Sequence, residues 1–97
     1  MNVKLIRMSS GEDVLAELLE DRGNSLAIHN ALVAVPAGNG QLGFAPWSPI
    51  LSQKQKELVV DRRFVVYVAD PEEGVLEYYD RFFNPSPIVK PSKKLIT

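Results

Sequence analysis

Ninety-seven residues, 45% of them hydrophobic, suit one small globular domain spanning 1–97. A formal net charge of −1 and a pI of about 5.8 exclude any general electrostatic pull towards nucleic acid or anionic lipid, so such binding would need a local cluster. The lack of cysteine excludes disulfides and thiolate metal sites, and the lone histidine, His29, excludes a multi-histidine site within one chain; no cofactor is implied.

The opening MNVKLIRMSS has no apolar run of signal-peptide length, and no segment approaches a membrane span. The expected setting is the cytoplasm, with no membrane partner. VKLIRM, residues 3–8, reads as a strand with both faces partly apolar. SSGEDVLAELLEDRGN, residues 9–24, is ambiguous. Ser9 and Glu12 have capping-box spacing, the interior is rich in Leu, Ala and Glu, and Gly23 would end a helix. As a helix, Val14, Leu15, Leu18 and Leu19 make one stripe. As a strand, Val14, Ala16 and Leu18 share one side, and Leu15, Glu17 and Leu19 the other.

SLAIHNALVAVP, residues 25–36, reads as a strand ending at Pro36, and AGNGQLG, residues 37–43, as a glycine-rich turn or loop. FAPWSPIL, residues 44–51, carries two prolines and suits an edge or bulged strand. After the polar SQKQKE come LVV and RFVVYVA, residues 63–69, where Val65, Val66, Tyr67 and Val68 favour a pleated surface. A helix is expected over 71–84, with Asp70 as N-cap, Pro71 first, Val75, Leu76, Tyr79, Phe82 and Phe83 on one face, and Glu77 and Arg81 spaced for an ion pair. The chain closes on an extended basic tail, 85–97, whose KLIT is a candidate short strand.

Residues 23–53 contain no Asp, Glu, Lys or Arg. That uncharged third suits either core strands with a neutral loop or a surface that meets another subunit, for which Phe44 and Trp47 are the candidate anchors.

KLIRMSSGEDVLAEL resembles the first signature of the Sm-like (LSm) proteins: Met8, Gly11, Val14, Ala16 and Leu18 fit it in order, and His29-Asn30 stand where the signature ends. The whole pattern is similar to a divergent group of Sm-like proteins encoded by bacterial viruses. The chain departs from the family in a longer spacing from Leu18 to Asn30, in Leu26 where an acidic residue is usual, and in having no Gly after Asp61-Arg62-Arg63. The resemblance implies a strand over 12–20, a hairpin turned at SSGE, and a mainly β fold. That fold is a small, strongly bent antiparallel sheet or barrel of about five strands over 3–69, with one C-terminal helix.

The resemblance also implies a cyclic homo-oligomer that binds single-stranded RNA in the cytoplasm, that of the host cell if the protein is viral. Carried over, it nominates His29, Asn30, Arg62 and Arg63: an aromatic plane to stack on a base, an amide to read its edge, and guanidinium groups for phosphate. Each has a plainer alternative. Asn30 suits a turn, His29 suits packing, and both arginines can pair with Asp61 at the surface. The acidic pI and the missing Arg-Gly fit a second expectation, a structural or protein-interaction ring module without nucleic acid. Catalysis is not expected. The carboxylate pairs Glu12-Asp13, Glu20-Asp21 and Glu72-Glu73 are adjacent and point apart on strands, and no nucleophile elbow, phosphate loop or metal signature is present.

Overall fold

The computed structural model describes residues 2–52 and 54–84. They form six strands, a 3₁₀ turn and one helix: β1 Val3–Met8, β2 Asp13–Asp21, β3 Ser25–Gly38, β4 Gln41–Pro46, β5 Leu58–Asp61, the 3₁₀ turn Arg62–Phe64, β6 Val65–Ala69 and α1 Glu73–Phe83. The fold is mainly β, an open antiparallel sheet in the order β4–β3–β2–β1–β6, with β5 also paired to β3. The expected tail and its KLIT strand lie outside the described residues.

Residues 13–21 are a strand, and their helical propensity loses to pairing. Both sides of β2 are hydrogen-bonded, to β1 from Val3↔Glu17 to Arg7↔Asp13 and to β3 from Val14↔Val33 to Asp21↔Leu26. An isolated nine-residue helix is marginal in water, whereas a central strand gains two ladders and two covered faces. The turn between β1 and β2 closes through Gly11 N–H to Met8 C=O and Met8 N–H to Glu12 C=O, with Gly11 at a φ of 95° that favours glycine.

The strand periodicity then sorts the core. Ile6, Met8, Val14, Ala16, Leu26, Ile28 and Val60 share one inner cluster, joined by Leu18, Trp47, Leu58, Val65 and Val68. Leu15, Leu32 and Tyr79 form a second cluster on the opposite face, with Val3, Leu5, Phe44, Val75 and Phe83. So β2 is apolar on both sides because α1 covers the face that would otherwise meet water.

Two register shifts bend the β2–β3 pair. Between Leu15↔Leu32 and Glu17↔His29, Asn30 and Ala31 oppose the single residue Ala16; between Leu18↔Ile28 and Glu20↔Ala27, Leu19 is the extra residue on β2. These are β-bulges, which kink the strand and raise its twist. The first flips the side-chain parity of β3, so Ile28 faces the inner cluster while Leu32 faces α1. The bent sheet brings β5 and β6 into one continuous run, separated by only three residues.

Several boundaries differ from expectation. β3 runs through Pro36 to Gly38 because beyond Val33 it has β4 alone as a neighbour, so the missing proline N–H costs no ladder bond on the β2 side. The expected loop 37–43 shrinks to a two-residue turn, Asn39 and Gly40, both at positive φ (51° and 73°), the geometry that matches strand twist. Consequently β4 starts at Gln41 and ends at Pro46, and 47–51 is not strand. The helix begins two residues late, with Glu72 rather than Asp70 at the N-cap, because Ala69 is still paired with Leu5 and Asp70 is drawn to Lys4. Glu77 and Arg81 form no ion pair among the described residues.

Leu15, 1% exposed, seals β2 against α1. Leu15→Ala should lower unfolding free energy by about 2–5 kcal/mol, measured by urea denaturation.

Candidate nucleic-acid interface

β3 presents His29 and Asn30 at the bulge. His29 pairs across the ladder with Glu17, Nδ1 lying 3.6 Å from Oε1, and both side chains are half-buried. Asn30 takes a left-handed backbone, φ 54°, a region that Asn tolerates better than most residues. The bulge leaves carbonyls without ladder partners, and α1 satisfies them. The Tyr79 hydroxyl donates to Asn30 C=O at 2.7 Å and lies 3.4 Å from His29 C=O. Tyr79 itself is buried, and that desolvation pushes its hydroxyl up to about 12.

A groove of about 320 Å³ opens beside this bulge, walled by His29, Asn30, Pro46, Leu51, Leu58, Phe82 and Phe83, with Ser48, Ser52 and Gln55 along its rim. Apart from His29 its walls carry no ionisable side chain. It offers amide and hydroxyl groups over an apolar floor, suited to an uncharged planar or aliphatic group.

The arginines lie elsewhere. Arg62 N–H donates to Asn24 C=O, which sets Arg62 level with Asn24 and five residues from His29 along β3. At about 3.3 Å per residue the separation is roughly 17 Å. Arg62 Nη1 bonds both Asp21 oxygens at 2.8 and 2.9 Å, and Arg63 bonds Asp61 at 2.9–3.2 Å. The Asp61 carboxylate also accepts from Arg63 N–H, capping the 3₁₀ turn. The Gly23 N–H and then Arg62 hold Asp21 below its ordinary range, and the bonds from Arg63 do the same for Asp61. Both carboxylates therefore stay ionised and offset their arginines. A shallow second pocket holds Asn24, Asp61, Arg62 and Arg63 together.

Within one chain, the structure thus brings His29 and Asn30 together and Arg62 and Arg63 together, but not the two pairs with each other. Phe44 and Trp47 are half-buried in the chain's own packing. Phe44 meets Tyr78 of α1 in a tilted pair with centroids 5.1 Å apart, and Trp47 packs against the inner cluster while its backbone N–H donates to Ala31 C=O. Tyr79 and Glu17 are the partners that sequence reasoning missed. The signal for Tyr79 was a tyrosine in the centre of an otherwise apolar helical stripe, a position that obliges its hydroxyl to find an acceptor.

No protein-family model matches the chain, and no curated protein sequence matches it. Among the described residues there is no group of three or more His, Cys, Asp or Glu that could hold a metal, and no helix long and apolar enough to cross a membrane.

Two outcomes separate backbone from side-chain roles here. Asn30→Gly should keep stability within about 0.5 kcal/mol, whereas Asn30→Val should cost about 1–2 kcal/mol in urea unfolding, because only the second resists a left-handed backbone. Tyr79→Phe should cost about 1–2 kcal/mol at neutral pH by orphaning the Asn30 carbonyl. An unfolded tyrosine titrates near 10, so between about pH 10 and 12 the unfolded chain loses a proton that the folded chain keeps, and stability falls through that window. Denaturation at pH 9 and above pH 11 should show the gap between the native chain and Tyr79→Phe closing.

Proposed function

We propose that this chain is a non-catalytic assembly module that joins copies of itself edge to edge through β5 and β6 into a closed ring, in the manner implied by the Sm-like resemblance. One observation carries this: among the described residues three strands, β4, β5 and β6, keep a free edge, and β5 and β6 cannot satisfy each other. There β5 pairs with β3 alone, and β6 with β1 alone. In the antiparallel order β1 and β3 run one way, so β5 and β6 both run the other. Strands of the same sense pair only across a connection of a dozen or more residues, and three join them here.

Free edges of this kind normally carry charge, proline or heavy bulging that keeps other chains away. β6, Val-Val-Tyr-Val-Ala, has neither charge nor proline. Its one bulge, at Val66, leaves Tyr67–Ala69 regular, and β5 is Leu-Val-Val before Asp61. Val66 is 63% exposed and Val59 51%, with Phe64 and Tyr67 beside them also exposed. Apolar side chains along two unlike edges suit a heterologous contact, which closes into a ring when the rotation between copies permits.

The uncharged middle of the chain is explained only in part by its own core: β3 supplies Leu26, Ala27, Ile28 and Leu32 to the interior, while Leu42 and Ile50 stay exposed. No catalytic step is supported, since His29 meets one carboxylate, no hydrogen bond joins its ring to a serine hydroxyl among the described residues, and the adjacent carboxylate pairs lie apart in the sheet and at the helix start.

RNA binding is a second role for the same ring, favoured by the uncharged groove at His29 and Asn30, which a ring would repeat once per subunit. The neutralised arginines favour assembly alone. Sedimentation velocity should show the native chain as a discrete oligomer, and Val66→Lys should convert it to folded monomer with an unchanged circular dichroism spectrum. A native chain that is monomeric at all concentrations would end this proposal. At low salt the oligomer should not retain short single-stranded RNA; retention that Asn30→Gly removes without altering assembly would establish the RNA role instead.

A further inference from the structure

Among the described residues, most of the basic side chains are matched within the chain. Lys4 pairs with Asp70, Arg7 with Asp13, Arg22 with Glu20 and Glu57, Arg62 with Asp21, and Arg63 with Asp61. Among the described residues this leaves three cations without an ion pair, Lys54, Lys56 and Arg81. The two lysines sit together, two and four residues before β5 begins. Glu72 and Glu73 are likewise exposed and unpaired, and they follow β6 by three and four residues. Glu72 stands at the N-cap of α1 but makes no side-chain capping bond, so its carboxylate is uncommitted. Glu12, Glu77 and Asp80 also form no ion pair among the described residues, but the lysine pair and Glu72–Glu73 are the clusters that flank β5 and β6, one before β5 and the other after β6.

Resting on the edge-to-edge association argued above, we propose that the alignment of the seam between subunits is set by Lys54 and Lys56 of one copy facing Glu72 and Glu73 of the next. Antiparallel pairing brings the end of one β6 beside the start of the neighbouring β5, which is where these clusters lie. If Leu58 stands opposite Ala69 of the next copy, Lys56 falls opposite Pro71 and beside Glu72, while Lys54, in the turn closed by Gln55 N–H to Ser52 C=O, and Glu73, at the start of α1, lie just past the paired strands. Parallel pairing does the reverse. It places the lysines beside Phe64 and brings Asp61 towards Glu72 and Glu73, like charge on like charge. At the far end of the antiparallel seam Asp61 and Arg63 already neutralise each other within the chain, so they neither oppose nor duplicate the alignment.

Such charges contribute most to choosing partner and register, since a misaligned seam sets lysine against lysine or leaves carboxylates unpaired. Because every copy carries both clusters, the same head-to-tail pairing repeats around a ring, and each seam holds one set of each.

The test is charge reversal and re-pairing, read by sedimentation velocity at about 50 mM and 0.5 M salt on chains shown to be folded by circular dichroism. Lys54→Glu with Lys56→Glu should weaken association at least ten-fold at low salt, as should Glu72→Lys with Glu73→Lys. The quadruple variant should return to within three-fold of the native chain, and the differences should shrink at high salt, where screening acts over a few ångströms. An oligomer indifferent to both double reversals, or a quadruple variant as weak as the doubles, would overturn the charge alignment while leaving edge-to-edge association standing. A native chain that is monomeric under all conditions would overturn both.

Discussion

Two residues facing one is the constraint around which this molecule is arranged. Asn30 and Ala31 stand against Ala16, and the mismatch bends β3, exchanges the sides its residues face, and frees backbone carbonyls in a half-buried place. An unpaired buried carbonyl costs on the order of 1–3 kcal/mol, and the Tyr79 hydroxyl removes that cost by donating to Asn30 C=O. The helix is therefore more than a lid on an apolar face. Its central tyrosine fixes the place where the sheet bends, and the ring of Phe83 beside Tyr79 holds that tyrosine in position.

From the bend follows the rest of the architecture. Curvature lets residues 62–64 carry the chain from the β3 side of the sheet to the β1 side in a single 3₁₀ turn, and the same short link prevents β5 and β6 from pairing with one another. Backbone donors and acceptors along those edges are left to water or to another chain. Ion pairs guard the flanks of the sheet, Arg7–Asp13 and Lys4–Asp70 by β1 and Arg62–Asp21 by β2, while β6 itself carries no charge. That contrast separates surface kept for solvent from surface available for association.

Much of this was legible in the residues, but unevenly. The alternation of Val14, Ala16 and Leu18 against Leu15 and Leu19 held both candidate structures, and only the number of neighbouring strands decides between them. That number is a property of the whole fold and not of a nine-residue window. The helical stripe of Val75, Tyr79 and Phe83 was readable because a surface helix needs just one partner. Its start was not, since Asp70 and Pro71 make a sound local signal that the last pairing of β6 overrides. Asn30 was open to contacting a base or to bonding its own backbone in a turn. The structure places it instead at a bulge within β3, with a positive φ that no inspection of sequence spacing supplies. The two arginines were correctly suspected of pairing at the surface, but Arg62 chose Asp21, forty-one positions away, a contact that exists only once β2 and β5 flank the same strand.

The tight connection at Asn39 and Gly40 has its own bearing on how this sequence could change over time. A bulge at Ala37, between Pro36↔Leu42 and Gly38↔Gln41, sits beside this two-residue turn and sets the phase of β4, and Phe44 meets Tyr78 as a result. Lengthening that tip by a pair of residues would merely extend the arm. A single added residue would either send Phe44 to the far side of the ribbon or have to be absorbed as a further bulge beside the one at Ala37.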